Sequence, residues 1–193
     1  MKQIQEVPGQ VTIGRAYADF FKGLIEFRGR STRAGYWWVQ LLAYIVNFVV
    51  MMVMSVSLVT QALTKYGDNV DKATQVATSQ LTPVVLILSL ITMVVELSLV
   101  TRRNRDVGIT GRGTAVLLAI QYVMVLPSWI AMAQKLLGGT PLAVTSNGVT
   151  AFLTLALAIF QFVLKLLPTD SLTTRSNAPV ARFFMRYKAD APD

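Results

Sequence analysis

The sequence predicts an all-α membrane protein: four transmembrane helices and an amphipathic N-terminal interfacial helix. Three observations lead there. Four long apolar runs follow one another along the chain. Of 193 residues, 53% are hydrophobic and only 15% charged, against about 25% charged in an ordinary soluble domain. Finally, Lys and Arg concentrate in alternate connections between the runs. A soluble chain with a mean hydropathy of +0.52 would have too little polar surface to stay dispersed.

Residues 1–14 form a polar arm with Pro8-Gly9 and no apolar centre, so no cleavable signal peptide is expected. In 15–28, Tyr17, Phe20, Phe21, Leu24 and Phe27 fall on one helical face, with Arg15, Asp19, Lys22 and Glu26 mainly elsewhere. Two readings fit this helix: it lies in the membrane interface, or it packs on the cytoplasmic ends of the bundle. Arg28-Gly29-Arg30 breaks the pattern, and Ser31 or Thr32 can cap the next helix. Tyr36, Trp37 and Trp38 stand where an interfacial aromatic belt belongs.

The first span runs over about 36–63, longer than the ~20 residues a bilayer needs, so it should tilt or project. Polar residues 64–80 predict the first outer connection. A second span covers about 82–101, with Pro83 in its first turn. The stretch TRRNRDVGITGRG, 101–113, reads as a tight basic loop. The third span, about 114–137, contains Pro127 and should kink there. Residues 138–148 are turn-rich, and the fourth span, about 149–167, stops at Pro168. A single membrane domain thus covers 15–170. A cytoplasmic tail, 171–193, carries one aromatic-basic stretch, VARFFMRYK.

Orientation follows from the cations. Lys2, Arg15, Lys22, Arg28, Arg30 and Arg33 precede the first span. Arg102, Arg103, Arg105 and Arg112 occupy the middle loop. Lys165, Arg175, Arg182, Arg186 and Lys188 belong to the C-terminal side. The other side has only Lys65, Lys72 and Lys135. The positive-inside rule therefore puts both termini in the cytoplasm of a multi-pass protein. The net charge of +8 reads as topogenic, with no nucleic-acid partner, because the basic residues flank the apolar runs. No internal repeat of the inverted-transporter kind is visible.

Two stretches, FRGRSTRAGYWW (27–38) and RRNRDVGITGRG (102–113), resemble the bacterial membrane family called domain of unknown function 805. The matching positions are Phe27, Gly29, Arg30, Thr32, Arg33, Tyr36 and Trp37, then Arg102, Arg103, Asp106 and Gly108. Leu167-Pro168-Thr169-Asp170 resembles the family's exit from its last helix. Together these cover most of the chain, about 20 to 170. Many members have His before the loop Asp, where this chain has Arg105. The resemblance implies a multi-pass protein of the bacterial plasma membrane and no activity.

Chemistry has few candidates. With no Cys and no His, Cys nucleophiles, His-based triads and Cys/His zinc sites are excluded. No cofactor is expected. Glu96 is the one acidic residue within a predicted span. It is either a functional carboxylate or the partner of a cation at the helix end, with Arg103 seven residues on and on roughly the same face. Each span carries a polar stripe: Gln40, Tyr44, Asn47 and Ser55; Ser89, Thr92 and Glu96; Thr114, Gln121, Ser128 and Lys135; Thr150, Thr154, Gln161 and Lys165. The stripes should point inward, either to bond helix to helix or to form a polar path. Asp106, among Arg102, Arg103 and Arg105, reads as charge pairing that shapes the loop, or as part of a headgroup or phosphate site with the loop glycines. The basic flanks should attract anionic phospholipid headgroups.

The sequence thus favours a non-enzymatic protein of the bacterial cell envelope: an interaction or accessory component, with a membrane-protein partner or as a homo-oligomer, or a membrane-sensing one. A small transporter or channel component using Glu96 is the alternative, and an intramembrane enzyme is disfavoured.

Overall fold

A computed structural model describes residues 4–67, 69–138 and 148–188. The predicted connection at 138–148 lies almost wholly outside these, as do Lys2 and the end of the tail. The described residues form six helices: α1 (Ile13–Lys22), α2 (Arg33–Tyr66), α3 (Val70–Val107), α4 (Gly111–Leu136), α5 (Gly148–Leu166) and α6 (Pro179–Phe184). Helices α2 to α5 are each long and apolar enough to cross a membrane. The fold class is therefore the one the apolar runs predict.

Helix α1 is capped by Thr12, whose side chain accepts from the Arg15 N–H. It stops at Gly23, whose N–H closes onto the carbonyls of Asp19 and Phe20, so it is shorter than the predicted 15–28. One side of this helix packs on the other helices. Ala16 and Phe20 enter a core with Tyr36, Val39, Leu99, Val100 and Leu118, while Phe21 stays exposed. Thr32 is the side chain that caps α2, accepting from the Gly35 N–H at 3.2 Å.

Two predicted loops are largely helix. The polar stretch 64–80 was expected as a connection, but only residues 67–69 interrupt α2 and α3. Asn69 caps α3 by accepting from the Lys72 N–H at 3.1 Å. Polarity misleads here because Thr, Gln, Ala and Val are all helix-competent when small side chains let two helices approach. Ala62 on α2 packs on Ala73 and Ala77 of α3. Tyr66 closes this hairpin under Lys65 and Lys72, 5.5 and 5.0 Å from its ring centre. At 38 residues, α3 is about 57 Å long. Because it begins at Val70, Pro83 lies in its interior rather than its first turn and removes one helix hydrogen bond. Pro127 lies inside α4. The basic stretch 101–113 likewise contributes Arg102 to Val107 to the last turns of α3, leaving a turn of three residues before α4.

The contacts divide the chain into two units. One gathers the described residues within Met1–Gln40, Val94–Met124 and Ser146–Asp193; the other, those within Leu41–Met93 and Val125–Thr145. The first holds the core around Phe20 and Leu99, and the second the alanine hairpin. In the first, the segment after α5 folds back rather than trailing away. Asp170 N–H donates to Asp106 O (2.8 Å), Leu172 N–H to Val107 O (2.8 Å) and Arg186 N–H to Gly108 O (2.7 Å). Thr174 N–H and Lys188 N–H then pair with Arg186 O and Thr174 O.

Gly108 makes this possible. Its φ is +114°, and an added Cβ would stand 2.9 Å from the Leu172 carbonyl. Gly67 also has positive φ, +55°, but open space around it. Gly67→Ala should therefore cost only about 1 kcal/mol, the left-handed penalty alone. Gly108→Ala should cost more, about 3 kcal/mol, since it adds strain and a backbone collision. Thermal unfolding in mild detergent checks the order, and equal losses of Tm would contradict it.

Candidate functional site

The charged residues of the two motifs converge in the first unit. Asp106, in the last turn of α3, is 2% exposed. Its carboxylate receives Arg103 Nη1 and, at 2.9 Å, the Thr169 hydroxyl. Arg30 Nε stands 3.7 Å away. Helical spacing of i, i+3 brings Arg103 and Asp106 together. Arg103 is fully buried, and its remaining N–H groups donate to carbonyls at the C-terminal end of α5: Lys165 O (3.4 and 3.2 Å) and Leu167 O. Those carbonyls have no partner within their own helix. Arg33 donates to Leu166 O at 3.5 Å, adding a second cation at the negative end of the α5 dipole.

Arg30 carries the cluster to the tail, donating to Asp170 Oδ1 at 2.6 Å and to the Asp106 carbonyl at 3.2 Å. Arg186 joins the same Asp170 carboxylate. Trp37 packs edge-on against Phe162 of α5, ring centres 5.7 Å apart. Gly108 supplies the turn. Of the residues singled out from sequence, Arg30, Arg33, Arg103 and Asp106 thus act together, with Trp37 and Gly108 shaping their frame.

Arg102 goes elsewhere. It is fully buried, lies across Gly23 and Gly29, and donates to Asp19 O at 3.3 Å. Glu6, Glu26 and Asp19 attract its charge. Glu6 gave no signal in the sequence. Its carboxylate, 8% exposed, accepts from the Thr32 N–H (2.8 Å), the Thr32 hydroxyl (2.9 Å) and the Ser31 hydroxyl (3.3 Å). An acidic group there favours the positive end of α2. The polar arm is consequently docked: Glu6 N–H donates to Arg30 O, and Arg30 N–H to Ile4 O.

Glu96 does not pair with Arg103, which Asp106 occupies. It accepts from Gln40 Nε2 of α2 at 2.6 Å, and the cation acting on it is Lys165 of α5. Lys165 donates to Gln161 O and Oε1 at 2.9 and 3.2 Å. Gln40, Thr114, Gln161 and Lys165 are buried, so this part of the stripes faces inward. Tyr44 does not, and Ser128, Lys135, Thr150 and Thr154 are also exposed. A helical Thr can face outward at low cost by bonding its own backbone, as Thr154 does to Thr150 O at 2.8 Å. Among the described residues, no three Asp, Glu, His or Cys side chains gather as a metal site would need.

Chemically, the motif cluster is an ion network with more arginines than aspartates that staples α2, α3, α5 and the tail. The Gln40–Glu96–Lys165 group is a second polar site within the spans, joined to the first where Arg103 donates to the Lys165 carbonyl. Compared with known families, the chain matches "Protein of unknown function (DUF805)" over residues 24–144, more than half its length. It belongs to that family. No match was found among curated proteins or solved structures. Both motifs of this DUF805 chain lie in the matched range, whereas Leu167–Asp170 and Arg186 lie beyond it.

Two outcomes are expected. Asp106→Ala leaves Arg103 buried without its counter-charge and should cost about 3–5 kcal/mol. Arg103→Met with Asp106→Leu should recover part of that loss in denaturant unfolding. The second outcome concerns pH. Burial holds the Glu6 carboxyl above its ordinary 4.5, against the hydrogen bonds from Thr32 and Ser31 and the charge of Arg102. A folded-state pKa above the unfolded one means that docking is strongest below the ordinary carboxylate pKa. It weakens as pH rises through the folded value. Hydrogen-exchange protection of the Arg30 and Thr32 amides should follow that fall in the wild type and be flat in Glu6→Gln. Equal, flat profiles would refute it.

Proposed function

We propose that this protein resides in the bacterial plasma membrane with both termini cytoplasmic. There it acts by interaction rather than catalysis, as an accessory or membrane-sensing component of the cell envelope. The observation carrying this reading is the fate of the motif charges. Arg30, Arg103, Asp106 and Asp170 are spent on one another, and what they hold is a folded platform of arm, α3–α4 turn and tail. Arg112, Arg175 and Arg182 remain exposed on it, suited to anionic headgroups or an acidic partner face. A second copy of the chain is an equally suitable partner in kind.

Affinity purification from native membranes after mild cross-linking tests this reading. A stoichiometric partner is expected, lost when Arg112 and Arg175 are both changed to Glu. Recovery of lipid and nothing else would overturn the accessory role. Orientation has its own test, since the chain lacks cysteine. Ser79→Cys should react with an impermeant maleimide in intact cells, and Ser176→Cys only after permeabilisation.

The Gln40–Glu96 bond and the nearby Lys165 favour a second reading, a small transporter or channel component. It requires a flux in proteoliposomes that Glu96→Gln abolishes; absence of any wild-type flux of protons, common ions or small solutes would count against it.

A further inference from the structure

Sharing Arg30 and Arg186 with the ion network, a cavity of about 300 Å³ in the first unit is lined by Arg28, Arg30, Arg105 and Arg186, together with Gln5 and Thr110. That volume is at the lower end of the ~300–1,000 Å³ usual for small-ligand sites. Four guanidinium groups around one cavity repel each other unless something negative joins them. Among the described residues, two carboxylates pair with them: Asp170 holds Arg30 and Arg186, and Asp106 stands 3.7 Å from Arg30 while also bound to Arg103. Arg28 and Arg105 have no ion-pair partner among the described residues. The charges bearing on Arg105 are those of Arg30 and Arg28, both of its own sign.

A second feature adds to the field. Gly111, also lining the cavity, is the first residue of α4, a helix of 26 residues with no acid in its first turn. Thr110 uses its hydroxyl to satisfy the Gly113 N–H at 3.1 Å. The two amides before that one have no partner within the helix, and the positive end of the helix dipole favours an anion. Arg30 and Arg186 are held in place by Asp170, so their forks are already oriented.

We propose that this cavity binds a phosphate group, taken as a dianionic monoester or free phosphate. Paired guanidinium forks and helix-terminal amides suit the several oxygens of phosphate better than the two of a carboxylate. Two sources present that group: the headgroup of a lipid such as phosphatidate, and soluble phosphate. The proposal requires no protein partner, so its failure would leave the accessory reading standing.

The experiment uses the full chain purified in an uncharged detergent, and the same chain in phosphatidylcholine nanodiscs with and without phosphatidate or phosphatidylglycerol. Thermal stabilisation by inorganic phosphate is measured in detergent, and lipid retention by native mass spectrometry in nanodiscs. Arg28→Gln and Arg105→Gln, singly and together, leave the Asp170 pairs intact. Lys135→Gln is the control, exposed and outside the cavity. The double variant is expected to weaken binding at least tenfold and Lys135→Gln not at all. Arg28→Gln, exposed at the rim, keeps the test valid should Arg105→Gln fail to fold.

Binding of inorganic phosphate that depends on Arg28 and Arg105 supports a soluble source. Selective retention of phosphatidate over phosphatidylglycerol, with no effect of inorganic phosphate, supports a headgroup. Binding of neither probe would overturn the site. So would equal retention of both anionic lipids unaffected by the variants, which would reduce the effect to surface charge.

Discussion

The buried pair of Arg103 and Asp106 is the interaction on which the first unit depends. A guanidinium with no exposed surface carries a desolvation penalty of several kcal/mol, which only a full set of partners offsets. Asp106 supplies the counter-charge, and the end of α5 supplies carbonyls. The two demands fit each other: a helix end with unpaired carbonyls and a cation with unpaired N–H groups. Position follows from this. α5 must end beside the last turn of α3, and Thr169 must follow at once to complete the Asp106 shell.

How much of this was legible? The four spans were, because twenty-residue apolar runs have one economical reading. Connections were not, where polar composition stood in for turn chemistry. Between Val70 and Thr82 there is neither Gly nor Pro, and the only turn-forming cluster is Gly67-Asp68-Asn69; taken alone, it marks the hairpin. In the site, the family motifs located Arg30, Arg103, Asp106 and Gly108. The sequence also offered Glu96 as a partner for Arg103, seven residues away, when a carboxylate three residues away lay closer on the helix. Glu6, Asp170 and Arg186 could not be placed with the cluster by any local rule. Their contacts span long stretches of chain, and no periodicity reports a fold-back.

The departure from the family pattern at Arg105 acquires a meaning. Arg105 faces the cavity with Arg28 and Arg30 rather than Asp106. An imidazole there would change charge near neutral pH, whereas a guanidinium remains cationic throughout. The two polar regions of the chain therefore differ in kind. Around Glu96, the chemistry consists of one carboxylate, two amides and one amine. At the arginine cavity it is fixed positive charge.

The order of these residues along the chain bears on how the molecule is made. Arg103 and Asp106 leave the ribosome well before Lys165, Leu167, Thr169 and Asp170, whose groups complete their hydrogen bonds. During synthesis the pair waits, half-satisfied, for the last helix to enter the bilayer and the tail to turn back. Closure of the cluster is thus the final act of assembly. A chain stopped short of Asp170 would leave without partners the charges that its finished form conceals.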